Sequence, residues 1–176
     1  MPDVGVPSLG GARWVGVVGP GDAVSGATPA VEAVAEQVGR RLAEAGAVLV
    51  CGGLGGVMAA ACRGAVAAGG ITIGILPGTD RSEANPWVAV PLATGLGEGR
   101  NALVVSSVDV LVAVGGGWGT LSEIALAIRS GRPVVGVGTW RLEPPASSAP
   151  TAGVDAVEDP AEAVRLALRL VGHHRG

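Results

Sequence analysis

The chain has 176 residues, 48% of them hydrophobic and 15% charged, with a formal net charge of −3. That length supports one domain with a full core. No apolar run approaches the roughly 18 residues of a membrane span, and the absence of a basic tract argues against nucleic acid as a partner. Lysine is missing altogether, which excludes lysine Schiff-base chemistry, a covalently held pyridoxal phosphate and a P-loop with its phosphate-binding lysine.

Residues 1–12 read as an N-terminal extension, with no basic start leading into an apolar stretch, so no signal peptide is expected and a cytoplasmic location is. Residues 13–18 (RWVGVV) predict a buried strand ended by Gly19-Pro20-Gly21. Thr28 then reads as an N-cap with Pro29 at the first helical position. Val31, Val34, Ala35, Val38 and Leu42 recur at helical spacing until Gly46. Residues 47–51 (AVLVC) are a second strand, closed by Gly52-Gly53-Leu54-Gly55-Gly56, with a small-residue helix over 57–68. Residues 71–76 (ITIGIL) are a third strand, 87–91 a short fourth, and a short helix opens at Gly99-Arg100-Asn101. Another buried strand spans 108–114 (VDVLVAV), followed by Gly115-Gly116-Gly117-Trp118-Gly119-Thr120, a helix over 121–130 and a strand over 133–137. Residues 143–151 predict a surface loop. Asp159-Pro160-Ala161-Glu162 starts a final helix as a capping box, and residues 173–176 read as a frayed tail after a single domain over 13–172.

The predicted strands are continuous apolar runs rather than alternating ones. Strands buried on both faces read that way, so the expected fold is α/β: a three-layer, Rossmann-like, doubly wound and mainly parallel sheet with helices on both faces. Two cysteines, Cys51 and Cys62, lie without a CxxC or a neighbouring histidine, so they read as buried thiols rather than a metal site or disulfide.

Glycine makes up 31 of the 176 residues, against a usual share of about 7%. Three clusters directly follow strands and precede helices: Gly19 to Gly21, Gly52 to Gly56, and Gly115 to Gly119. In a parallel sheet those junctions share one edge, where ligands bind. Glycine lets backbone N–H groups approach an anion, and a helix start adds a favourable dipole. A phosphate or nucleotide site follows. No cluster contains GxGxxG, and Cys51 stands where an acid would hold a ribose, so a dinucleotide is disfavoured.

Four features have two readings. Thr120-Leu121-Ser122-Glu123 fits a capping box, in which Glu123 only closes its own helix; it also fits a carboxylate beside a phosphate loop. Arg100 at a helix start opposes the helix dipole, which suggests a ligand role over a solvated one. Trp118 either stacks on a base or covers its loop. Asp80, Arg81 and Glu83 read as a solvated polar loop within reach of the same edge.

The segment Gly115 to Glu123 (GGGWGTLSE) resembles the PGGxGTxxE signature of the LOG proteins, once labelled lysine decarboxylase-like. Gly52 to Met58 (GGLGGVM) is similar to that family's GGGxxGLM segment, and Arg100 sits where its arginine precedes the signature. The resemblance runs from about residue 14 to 140. It implies a Rossmann-like fold, a homodimer or higher homo-oligomer, and cleavage of a nucleoside 5′-monophosphate to base and ribose 5-phosphate. It implies Glu123 and Arg100 as the catalytic pair, with Gly116, Gly117, Gly119 and Thr120 on the phosphate. Gly19, Gly21, Gly52, Gly53, Gly55, Gly56, Met58, Asn101, Gly115 and Trp118 complete the expected ligand set, with no metal and no required cofactor. Gly115 replaces the signature proline, and Asn101 follows the arginine where LOG enzymes usually carry lysine. Those departures, with GGITIGILPG at 69–78, resemble the molybdenum-cofactor-carrier branch. That branch implies the alternative: a non-catalytic protein that binds molybdenum cofactor or another phosphorylated pterin or nucleotide.

Overall fold

The computed structural model describes residues 9–142 and 153–174. Seven strands form one sheet in the order β4-β3-β2-β1-β5-β6-β7, and every neighbouring pair is parallel. The strands are β1 (Trp14–Val18), β2 (Val48–Cys51), β3 (Thr72–Leu76), β4 (Val90–Ala93), β5 (Val110–Val114), β6 (Val134–Val137) and β7 (Val154–Val157). The helices are α1 (Pro29–Glu44), α2 (Gly56–Ala67), α3 (Asn101–Ser106), α4 (Trp118–Arg129) and α5 (Pro160–His174). This is the expected Rossmann-like α/β architecture.

Side-chain alternation along each strand explains the three layers. In β5, Val110, Val112 and Val114 enter a core packed under α1, α2 and α5, while Leu111 and Ala113 enter the opposite core under α3 and α4. Because both faces are covered, polar positions are excluded from the central strands. The caps at Thr28 and Asp159 form as expected: the Val31 N–H donates to Thr28 Oγ1 at 3.4 Å, and the Glu162 N–H donates to Asp159 Oδ2 at 2.9 Å.

Several boundaries differ from the sequence reading. The fourth strand is displaced to Val90–Ala93, after Asn85 and Trp87 have made a turn in which the Trp87 N–H donates to Asn85 Oδ1. The segment before α3 is a 3-10 turn, Gly97–Arg100. Helix α4 starts at Trp118, because Gly117 is extended at φ −124° and serves as its N-cap. Strand β7 was not expected; it is a short edge strand paired with β6. The predicted surface loop at 143–151 lies outside the described residues, as do Arg175 and Gly176 of the predicted tail.

The chain adds β2, β3 and β4 to one side of β1 and then crosses over to place β5 on the other. The order therefore reverses between β1 and β5, which opens a crevice at their carboxyl ends. The loops after β1 and β5 flank it. None of the described helices is long and apolar enough to cross a membrane.

Candidate functional site

A cleft of about 310 Å³ occupies that crevice. The loop after β1 supplies Gly19, Pro20, Gly21 and Ser25; α2 supplies Met58, with Leu54 before it. Pro77 follows β3, and Gly97, Glu98, Arg100 and Asn101 come from the turn into α3. The start of α4 supplies Gly117, Trp118, Gly119, Thr120 and Glu123. A second hollow of about 490 Å³ lies beyond the β5 loop, between α1 and the ends of β5 to β7. Its charged neighbours, Arg141 and Glu158, are exposed, and of the expected site residues only Gly115 borders it. Size favours the second hollow, but the buried pair Arg100 and Glu123 and the gathering of expected site residues favour the first, which we take as the site.

Arg100 and Glu123 are the charged side chains buried in this region, at 8% and 7% exposure. Arg100 Nη1 stands 3.7 Å from Glu123 Oε1. That is an ion pair but is too long for a hydrogen bond. Burial pushes the Glu123 carboxyl up to about 7, and the Arg100 charge opposes that rise only in part. Desolvation outweighs attraction here because the two groups do not close into direct contact.

Gly52 makes room for Arg100. A Cβ at position 52 would fall on the guanidinium, contacting Cζ and both terminal nitrogens. The glycine is required by close approach, not by a left-handed backbone. Arg100 Nε has no hydrogen-bond partner, and the Thr120 hydroxyl has none either, although both atoms are buried.

The start of α4 is open. Gly117 offers no side-chain cap, and the first intrahelical bond runs from the Leu121 N–H to the Gly117 carbonyl at 3.0 Å. The N–H groups of Trp118, Gly119 and Thr120 precede that bond at the positive end of the helix dipole. A Cβ on Gly119 would meet nothing within 4 Å, so its face is open cleft. Thr120 lies inside the helix, at its third residue, and does not cap it. The capping-box reading of Thr120 and Glu123 is therefore corrected: the earlier helix start moves Glu123 into the second turn, where it faces Arg100.

The expected site residues separate into two groups. Gly19, Gly21, Met58, Arg100, Asn101, Gly117, Trp118, Gly119, Thr120 and Glu123 line the cleft. Gly52, Gly53, Gly55, Gly56, Gly115 and Gly116 do not; they let the loops pack behind it. Gly56, for example, has φ +58° against the Pro20 carbonyl, and Gly116 lies against the Trp140 indole. Asp80, Arg81 and Glu83 are exposed in a separate 3-10 turn, where Asp80 Oδ1 accepts from the Ser82 N–H. Pro20, Ser25, Leu54, Pro77, Gly97 and Glu98 line the cleft without having been singled out. Pro77 ends a strand at the same sheet edge, which was the signal available for it.

Cys51 and Cys62 are free, buried thiols with their sulfurs 3.5 Å apart. Among the described residues no group of three or more His, Cys, Asp or Glu side chains is placed to hold a metal ion.

A family model described as LDcluster4, the SLOG cluster4 family, matches residues 12–164. An uncharacterized protein of Archaeoglobus fulgidus is 38% identical over 154 residues, covering 88% of this chain and 93% of its own. Among solved structures, the molybdenum cofactor binding protein of Rippkaea orientalis is similar with TM-score 0.79 and 34% identity, over 91% of this chain and 98% of that one. The molybdenum cofactor carrier protein of Chlamydomonas reinhardtii is similar with TM-score 0.78 and 37% identity, over 92% of this chain and 99% of that one.

Proposed function

The chain belongs to the SLOG cluster4 family, within the LOG-like superfamily that its glycine motifs resemble, and from that membership we propose that it binds and carries a small phosphorylated ligand of the molybdenum-cofactor or pterin type. The observation that carries the reading is the convergence of a buried arginine and an uncapped helix start on one cleft at the strand-order switch. A phosphate seated at the start of α4 accepts from the N–H groups of Trp118, Gly119 and Thr120. The same anion supplies an acceptor for the Arg100 guanidinium and, after rotation of its side chain, for the Thr120 hydroxyl, two groups otherwise left with unmet hydrogen bonds. The carrier proteins of similar sequence and fold support cargo of this class. Titration calorimetry with a phosphorylated pterin, alongside a panel of nucleoside monophosphates, tests it. Binding without turnover is the expected outcome; absence of binding by every phosphorylated probe overturns it.

A second reading, favoured by Glu123, is a nucleoside 5′-monophosphate phosphoribohydrolase. A carboxyl pushed up to about 7 exists in both forms at neutral pH. Its acid form can protonate a departing base, and its ionised form can stabilise the cationic sugar. Release of ribose 5-phosphate from any of the monophosphates, lost in Glu123→Gln, would establish this reading over carriage.

A further inference from the structure

Trp118 is the largest side chain on the cleft, and 80% of it is exposed. Aromatic side chains gain most by burial, so an indole held in water at the mouth of a cleft calls for a partner. Its pose is supported from behind. The Trp140 ring lies 5.3 Å away, centroid to centroid, tilted by 40°. The Trp140 indole N–H in turn donates to the Gly117 carbonyl at 3.1 Å. That bond ties the second ring to the residue that caps α4. Trp118 is also the first residue of α4, so its ring and the open N–H groups of the same helical turn share one short piece of backbone.

We infer that Trp118 is the stacking surface for a flat, fused heteroaromatic ring of purine or pterin type, on the ligand whose phosphate occupies the start of α4. The inference rests on the proposed phosphate site and adds the other end of the ligand to it. A cleft of about 310 Å³ lies at the small end of ligand pockets, which run from about 300 to 1,000 Å³. It suits one bicyclic ring and one phosphate, with the ring lying outward on the indole. Offset stacking uses the π faces of both partners and tolerates different ring substituents. Trp118 therefore selects for the ring class and leaves its identity to the rest of the cleft. Trp140 acts as a positioning residue, holding the indole in place before the ligand arrives.

The test compares ligands that share a phosphate and differ in the ring. Guanosine 5′-monophosphate, neopterin monophosphate and ribose 5-phosphate are titrated into the wild-type chain and into Trp118→Leu and Trp118→Phe. In Trp118→Leu, affinity for the ring-bearing probes falls about tenfold or more, while that for ribose 5-phosphate stays within twofold. Trp118→Phe keeps most of the affinity. Quenching of tryptophan fluorescence by the ring-bearing probes disappears with Trp118, and the melting temperature does not move, because the side chain is exposed. Equal losses for all three probes, or no loss for any, overturn the stacking role and leave the phosphate site standing. A wild-type chain that binds none of the three overturns both.

Discussion

Arg100 and Glu123 face each other across 3.7 Å, both largely buried in the wall of the cleft. They attract without touching. The separation leaves the guanidinium with donors to spare and the carboxyl only partly stabilised, so an anion entering the cleft would compete with the Glu123 carboxylate for the same arginine.

Stability should fall as pH rises through the range where Glu123 ionises. The carboxyl is pushed up from 4.5 to about 7. Between those values the folded chain holds a proton that the unfolded chain has lost, so stability declines with rising pH and levels off above the folded value. The shift corresponds to on the order of 3 kcal/mol at most. In Glu123→Gln that slope should disappear, leaving the variant more stable than wild type at pH 8 and similar at pH 4. Urea midpoints across this range check it; an unchanged slope would show that another group controls it.

Anion binding should follow the same proton. With Glu123 protonated, Arg100 has one competitor fewer, so a phosphate ligand binds more tightly at pH 6 than at pH 8. The ligand phosphate also titrates near 6, and its own ionisation runs the other way. The difference between wild type and Glu123→Gln therefore isolates the carboxyl. Calorimetry at both pH values should show a steeper loss of affinity on raising the pH in wild type than in the variant.

Arg100→Met should lower phosphate affinity by about tenfold to a hundredfold, the range expected for a lost charge-assisted hydrogen bond. It should also raise the Glu123 titration further, since the arginine opposes the effect of burial. Carbon-detected NMR titration of the side-chain carboxyl reads that shift directly. Arg100→Lys should not restore full affinity, because an ammonium cannot reproduce the planar fork.

Two glycine substitutions should separate support from contact. In Gly52→Ala the new methyl falls on the Arg100 guanidinium and displaces it, so stability and ligand affinity drop together. In Gly119→Ala the methyl enters open cleft, so the melting temperature holds or rises slightly while affinity drops. Thermal melts paired with binding isotherms distinguish the two, and equal melting losses would contradict the assignment.

The two cysteines should resist thiol reagents until the chain unfolds. Both are buried, which shields them from reagent; the hydrogen bond between them, reinforced by burial, also pushes the Cys62 thiol well above the ordinary range, while it lowers that of Cys51. Labelling by an aromatic disulfide should follow the global unfolding curve in urea, with both thiols reacting together.

The sheet was legible because strands such as 108–114 are unbroken apolar runs, and only burial on both faces produces them. Strand β7 was not, since VDAV is short, half exposed at an edge and interrupted by Asp155. The start of α4 was hidden by Gly117 and Gly119, whose weak helix propensity points to a loop although Gly117 is the cap. That single displacement changed the meaning of Glu123, because spacing from Thr120 cannot tell a cap from a carboxylate one turn further in. Arg100 was readable as unusual at a helix start. Its burial was not, because the space it fills comes from the missing side chain of Gly52, distant in sequence.

The reversal of strand order between β1 and β5 has a consequence for how occupancy can be read. The pairing of Val15 with Val110 joins segments far apart along the chain, and the loops leaving these two strands flank the cleft. A ligand held by both loops would close that seam like a clasp. Its binding energy would add to the stability of the whole sheet rather than of one loop. Amide exchange along β1 and β5 should slow with ligand concentration, a signal that reports occupancy without any need for turnover.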